Sequence, residues 1–353
     1  MNPYYDPSKP HHRPDGFQNN YAEFEPKSLA EVLRWRWHAT RAGLPPTPQT
    51  PTPVVAADLP LLHAYAASDG SAAPTVTWIG HATAMAQMGG VTLLTDPMFS
   101  QRASPLRFVG PKRHQPPGIA LGDLPHVDLV LVSHNHFDHL DEASVTALSR
   151  QPGGSPLFVV PLGLGPWFAA RGLRRVVELD WWDSHALPGR EVEVVLVPAQ
   201  HWSARGLTDR MKTLWGGFAV FAPDCHLLFA GDTAYSRDFT DVRERFAARQ
   251  TAALGGGFDL ALLPIGAYEP RWFMAAQHVN VPEAVQIHRD LGAKRSLGIH
   301  WGTFELTDEP LDAPPAELAA HCERCGITPD EFFVMAIGET RTLAPRRSAE
   351  PPA

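Results

Sequence analysis

The chain is 353 residues long and 44% hydrophobic, with a formal net charge of −8 from 30 Lys and Arg against 38 Asp and Glu. That length suits one large domain or two ordinary ones, and the acidic balance argues against a dedicated nucleic-acid binder and against general attraction to anionic lipid. Three cysteines cannot build a disulfide framework, residues 1–21 lack the apolar run of a secretory signal, and no stretch is long and apolar enough to span a bilayer, so a reducing cytoplasm is the expected compartment.

Residues 1–28, rich in Pro, His, Asn and Tyr, predict irregular structure. Residues 28–42 predict a helix, because Ser28 can cap its start and Glu31 stands three residues on, as a capping box requires. That helix carries Leu29, Val32, Leu33, Trp35 and Trp37 beside Arg34, Arg36 and Arg41. Packing over the main domain is its expected role, although indole rings among basic groups also suit peripheral contact with a membrane. The prolines of PPTPQTPTP (45–53) forbid helix and sheet ladders and make an extended linker. The expected organisation is an N-terminal arm over 1–53, a main domain over 54–344 and a disordered tail over 345–353.

From Val54 onward, short apolar runs bounded by turn residues recur: TVTWIG (75–80), VTLLTDP (91–97), DLVLVSH (128–134), PLFVVP (156–161), EVEVVLVP (191–198), HLLFAGD (226–232), LALLPIG (260–266), RSLGIHW (295–301) and FFVMAIG (332–338). Their length and Val/Leu content predict buried strands. Helical patterns fall at 142–150, 241–249, 281–291 and 315–325. The last holds Cys322 and Cys325, a C-x-x-C without a second pair, expected to be ordinary, partly buried thiols. The whole predicts a layered α/β protein with more than one sheet.

The densest chemistry is SHNHFDHLD (133–141), which follows directly on the run DLVLVS. Alternation puts His134 and His136 on one side, and a turn then lets Asp138 and His139 face a second point, a geometry for two adjacent cations. Imidazoles and carboxylates crowded at the end of a buried strand repel, or resist desolvation, unless a cation joins them. The ligand types are those of zinc, with iron or manganese as alternatives. Downstream, His201, Asp232 and His300 each stand at or just beyond the end of an apolar run, where ligands collect in α/β sheets. Asp232, being acidic, is the natural bridge between two cations.

The ordered set of HxHxDH at 134–139, a single His, a GD and a late His resembles the metallo-β-lactamase superfamily. The resemblance implies an αβ/βα sandwich, two mixed β-sheets flanked by helices, with two zinc ions per chain at one edge between the sheets. It also implies that His134, His136 and His201 hold one metal, that Asp138, His139 and His300 hold the other, and that Asp232 bridges. Further segments narrow the likeness: TWIGHAT (77–83), LTDPMFSQRASP (94–105), GPKR (110–113), PLGLGPW (161–167) and ELDWWD (178–183). PAQHWSAR (198–205), LPIGAYEPRWFM (263–274), QHVN (277–280) and IHWGTF (299–304) extend it. Together they are similar to the N-acyl-phosphatidylethanolamine-hydrolysing phospholipase D family over residues 33–338. Phe137, where the animal enzymes of that family are expected to carry Tyr, and the unlike N-terminal arm depart from the pattern.

Paired cations acidify water and neutralise the charge of a phosphodiester, so the expected function is that of a binuclear phosphodiesterase. The resemblance implies a phospholipid substrate, N-acyl-phosphatidylethanolamine, cleaved to N-acylethanolamine and phosphatidic acid, and a homodimer. Asp138 is expected both to ligate a metal and to orient the attacking hydroxide. His278 is expected to donate to the phosphate or protonate the leaving oxygen, with Gln277 beside it against substrate. Asp96 and His81 are expected behind the ligands, Asp96 orienting a ligand histidine or the backbone. The alternatives are a lactonase or a hydrolase of another phosphodiester or phosphorylated small molecule on the same fold, and, more remotely, a non-catalytic metal-binding protein. A nuclease is disfavoured for want of a concentrated basic track.

Overall fold

Strands that are apolar on both faces need cover on both sides, and the chain supplies it with two seven-stranded sheets packed face to face between helices. The computed structural model describes residues 2–23, 25–68, 70–106 and 108–346. A two-stranded hairpin, β1 (His12–Arg13) and β2 (Gly16–Phe17), comes first, followed by helices α1 (Leu29–Ala42) and α2 (Leu59–Ala66). Then come β3 (Thr75–Gly80), β4 (Thr83–Met88), β5 (Val91–Thr95), β6 (Leu129–Leu131), α3 (Glu142–Leu148), β7 (Leu157–Pro161), α4 (Gly165–Ala169) and β8 (Val176–Leu179). The second half begins with β9 (Ser184–Ala186), β10 (Glu193–Val197), β11 (Gly217–Phe221), β12 (His226–Phe229) and α5 (Asp238–Phe246). It continues through β13 (Leu260–Pro264), α6 (Arg271–Met274), α7 (Val281–Leu291), β14 (Ser296–Ile299), α8 (Ala313–Cys325), β15 (Phe332–Phe333) and β16 (Thr340–Thr342).

One sheet runs β16-β3-β4-β5-β6-β7-β8 and the other β15-β14-β13-β12-β11-β10-β9. Both are mixed. Pairing is antiparallel from β3 to β5 and parallel from β5 to β8, then antiparallel from β9 to β12 and parallel from β12 to β15. Alternation along β6 and its extension divides the core. Leu129 and Leu131 face the second sheet, while Val130 and Val132 join Leu62 of α2, Val145 of α3 and Phe168 of α4 on the outside. Helices α5, α7 and α8 cover the other sheet through Val242, Ile287, Leu318 and Cys322. This is the αβ/βα sandwich expected from the sequence. Each of the nine apolar runs contains a strand, although in FFVMAIG the strand covers only Phe332–Phe333, with an isolated bridge from Ile337 to Val54.

Helix α1 has the capping box of Ser28 and Glu31, and Gly43 ends it in the left-handed conformation that glycine adopts without strain. Trp35 and Ala39 pack on Phe273 and Met274, the expected docking, while Leu29 (73% exposed), Leu33 (59%) and Trp37 (54%) stay outside.

Two expectations are corrected. Residues 1–28, expected to be irregular, contain the β1–β2 hairpin, and the arm over 1–53 is tied to the main domain through polar groups with partners far along the chain. Lys9, His11 and His12 all reach Asp180, Thr52 Oγ1 donates to the carbonyl of Gly302, and Ile337 N–H donates to that of Pro53. The tail expected to be disordered from residue 345 is ordered at Arg346. That side chain is buried, with Nη1 2.9 Å from Asp259 Oδ2 and 2.9 Å from the carbonyl of Gly257. Residues 347–353 lie outside the described residues. No helix among the described residues is long and apolar enough to cross a membrane.

Candidate metal centre

The strand ends of both sheets meet at one edge of the sandwich, and the chemistry collects there. His134, His136, Asp138 and His139 lie on the loop after β6, His81 in the β3–β4 turn and Asp96 just past β5. From the other sheet come His201 after β10, Asp232 after β12 and His300 directly after β14. His300 N–H donates to the carbonyl of His81 (3.0 Å) and Gly216 N–H to that of Ser133 (3.0 Å), which stitches the two sheets together across the site. His81, Asp96 and His300 all have positive φ (55°, 32° and 64°). Strain of this kind in non-glycine residues gathers where side chains must be aimed rather than where the backbone is comfortable.

The structure brings all seven expected ligands together. His134 Nε2 lies 2.8 Å from His136 Nδ1, which lies 3.3 Å from His201 Nε2. A second group forms beside it: His139 Nε2 is 3.2 Å from His300 Nε2, and Asp138 Oδ2 is 3.4 and 3.5 Å from those two nitrogens. Asp232 stands between the groups, with oxygens 3.0 Å from His139 and 3.2 Å from His300, and 3.9 Å from both His134 and His201.

Hydrogen bonding on the far side of these rings tests whether a cation fits. Ser133 Oγ donates to Asp96 Oδ2 (2.5 Å) and so accepts from His134 Nδ1 (2.9 Å). His201 Nδ1 donates to the carbonyl of Gln277 (2.8 Å), and His139 Nδ1 donates to Asp96 Oδ2 (2.6 Å). With the outer nitrogen of each ring committed as donor, the inner nitrogens of neutral His134 and His201 turn lone pairs inward, and that of His139 does the same once a cation takes the place of its proton. The donor set therefore fits a pair of divalent cations.

Electrostatics agree. Burial, then neighbouring imidazoles, hold His134 and His136 well below the usual histidine range, and burial brings His201 to about 4, so these three rings are neutral as ligands must be. Burial also disfavours charge on His300, but Asp232 and Asp138 outweigh it and lift that ring to about 9; His139 is raised for the same reason. The second group thus calls for positive charge, either protons or a metal.

The remaining expected residues divide. Asp96 accepts from Ser133 N–H (2.7 Å), Ser133 Oγ and His139 Nδ1, and so fixes the ring of His139. Burial brings His81 to about 3, so its neutral Nε2–H donates to Asp138 Oδ2 (3.0 Å). His278 borders the site, its Nδ1 3.8 Å from Asp232 Oδ2. Gln277 is buried: its carbonyl accepts from His201 Nδ1, and its side-chain amide turns to Met274 Sδ (3.1 Å). A cavity of about 1360 Å³ lies beside the ligand loop, sharing Asn135 and Phe137 with it, and Arg205 lies over Phe137 at 4.1 Å. Sequence reasoning does not single out Ser133, although it directly precedes His134. Nor does it single out Asn19, whose contact with His201 spans 182 residues and leaves no local signal.

Residues 92–301 match a family model described as beta-lactamase superfamily domain. The chain is 41% identical over 238 residues to N-acyl-phosphatidylethanolamine-hydrolyzing phospholipase D 1 of Caenorhabditis elegans, covering 65% of this chain and 64% of that one. It is 35% identical over 320 residues to the mitochondrial N-acyl-phosphatidylethanolamine-hydrolyzing phospholipase D of Saccharomyces cerevisiae, covering 88% and 66%. The chain thus spans a little less than two thirds of the length of each relative. Among solved structures, the metallo hydrolase Igni18 of Ignicoccus hospitalis shares the fold, with a TM-score of 0.56 at 21% identity over 77% of this chain and 98% of that one.

Proposed function

The chain belongs to the beta-lactamase superfamily, and from that premise we propose that it is a metal-dependent phosphodiesterase of phospholipase D type. The substrate proposed is N-acyl-phosphatidylethanolamine, the products N-acylethanolamine and phosphatidic acid, and the cofactor two zinc ions. His134, His136 and His201 would hold one ion, Asp138, His139 and His300 the other, and Asp232 both. The observation that carries this is the convergence of imidazole nitrogens on Asp232 from two sides, at 3.0 to 3.9 Å. Two relatives named for this reaction support the choice of substrate.

Bound there, paired cations supply the Lewis acidity that makes water nucleophilic near neutral pH and neutralises a phosphodiester. The protein's own groups supply aim. Asp138, 16% exposed and fixed by His81 Nε2–H, faces the open side, where it accepts a hydrogen bond from the attacking water. Burial brings His278 to about 3. It is therefore neutral at working pH and donates a hydrogen bond to the phosphate or leaving oxygen, instead of delivering a proton as an imidazolium. The exposed face of α1 is proposed to touch the lipid surface. Arg41 lies over Trp37 (4.7 Å) and Arg34 over the half-exposed Trp272 (5.8 Å), an arrangement suited to an interface. A homodimer, to be checked by light scattering, completes the proposal.

The decisive experiment joins elemental analysis of the purified protein to a substrate panel of N-acyl-phosphatidylethanolamine, simple phosphodiesters, lactones and β-lactams. Two zinc ions per chain and release of N-acylethanolamine are expected. Asp138→Asn and Asp232→Asn should each abolish turnover. Fewer than one metal per chain, or wild-type turnover in either variant, defeats the proposal; lactone hydrolysis alone would move the function to another reaction on the same site.

A further inference from the structure

The N-terminal arm reaches the metal centre from outside the two sheets. Asn19 Oδ1 accepts from the main-chain N–H of His201 (3.0 Å) and from Trp215 Nε1 (3.2 Å), and all three residues are buried. His201 is therefore gripped twice: Gln277 holds its ring through Nδ1, and Asn19 holds its backbone. The neighbouring residue is tied to the strand end that carries Asp232, since Gln200 N–H donates to Thr233 Oγ1 and Ala234 N–H donates to the carbonyl of Gln200. Asn19 thus supports the side of the His201 loop that the sheets leave unheld.

The arm is itself anchored. Asp180 accepts from Lys9 Nζ (2.5 Å), His11 Nε2 (2.7 Å), His12 Nε2 (2.9 Å) and Trp181 N–H (2.8 Å), and His11 stacks on Trp181. Two imidazoles and a carboxylate in one buried cluster resemble a third metal site, but the hydrogen bonds exclude it. His12 Nδ1 accepts from Asp6 N–H (3.1 Å), so its Nε2 carries the proton and donates to Asp180. The cluster is a clamp on the arm. Phe17 N–H donates to the carbonyl of Met211, and a Cβ on Gly16 would stand 2.3 Å from that same oxygen, so the hairpin fits only at this closeness and in this register.

We propose that Asn19 is a positioning residue for the metal centre: the clamped arm delivers its amide oxygen to the main chain of His201 and so sets that ligand's place. The inference rests on His201 ligating a metal, as proposed above. The loss of an outer partner of this kind weakens metal binding by about 10- to 100-fold.

The test compares Asn19→Leu, which keeps the volume but loses the acceptor, with Asn19→Asp, which keeps the acceptor, both in the full chain. Zinc retention is titrated against a competing chelator, and the cobalt-substituted proteins give visible absorption spectra that report ligand geometry. In Asn19→Leu one of the two metals is expected to bind about 10- to 100-fold more weakly with an altered cobalt spectrum, while Asn19→Asp keeps both near wild type. If Asn19→Leu does not fold, Asn19→Ala against Asn19→Asp decides by the same measures. Two metals of unchanged affinity and an unchanged spectrum in the variant lacking the acceptor overturn the inference. A wild-type protein that binds fewer than one metal per chain would instead defeat the proposed function.

Discussion

At the scale of single residues, the centre is built by what stands behind the ligands as much as by the ligands. Asp96 gathers Ser133 and His139, Gln277 gathers His201, and His81 gathers Asp138. His278 differs, because its Nδ1 is buried and has no hydrogen-bond partner, beside an open site. Its replacement by Ala is expected to lower kcat by about 10²-fold, the usual cost of removing one preorganised donor, while the metal content stays at the wild-type value. Loss of metal in that variant, measured by elemental analysis, would instead make His278 a ligand.

The elements around the site are mostly strands, and one helix is unlike the rest. Most helices bury one face against a sheet, whereas α1 docks through Trp35 and Ala39, with Val32 beside them, and leaves an apolar face ringed by arginines. Leu33→Ser combined with Trp37→Ser is expected to reduce flotation with phosphatidylglycerol-containing liposomes without changing turnover of a soluble phosphodiester. Equal flotation of variant and wild type would remove α1 from the membrane reading. Beneath the site, Leu131 of β6 is fully buried between the sheets. Leu131→Ala should cost about 2–5 kcal/mol of stability by leaving a cavity, as read from denaturant midpoints.

For the molecule as a whole, metal and proton compete. Asp232 and Asp138 raise the proton affinity of His300 to about 9 and raise that of His139 as well, so below that pH the apo site holds protons where a cation would sit. Metal uptake at neutral pH should therefore release protons, and apparent metal affinity should fall as pH drops from about 9. Calorimetry in buffers of different ionisation enthalpy measures the release; a proton count of zero at pH 7 would contradict it. Chelation should lower the thermal midpoint and zinc should restore it, because ions held as proposed would join both sheets where the Ser133–Gly216 and His81–His300 contacts already meet.

The cluster of candidate ligands, the β6 loop and a layered α/β fold with more than one sheet were legible in the chain itself, and the family resemblance implied the sandwich. His134, His136, Asp138 and His139 are close in sequence, and apolar runs of five or so residues predict strands whatever lies around them. Strands β4 and β11 were not legible: TAMAQM and GFAVF are buried in the structure, yet Gln87 finds its partners at Leu62 and Thr92, and Gly217 has no room for a side chain beside the carbonyls of Phe229 and Ala230. The same limit applies to Asn19, to the Asp180 clamp and to the carbonyl of Gln277. The sequence by itself determined which residue types could hold metal and that they end strands. Only the tertiary structure decided which hydrogen bonds fix their tautomers and directions, because those bonds join groups that the chain keeps far apart.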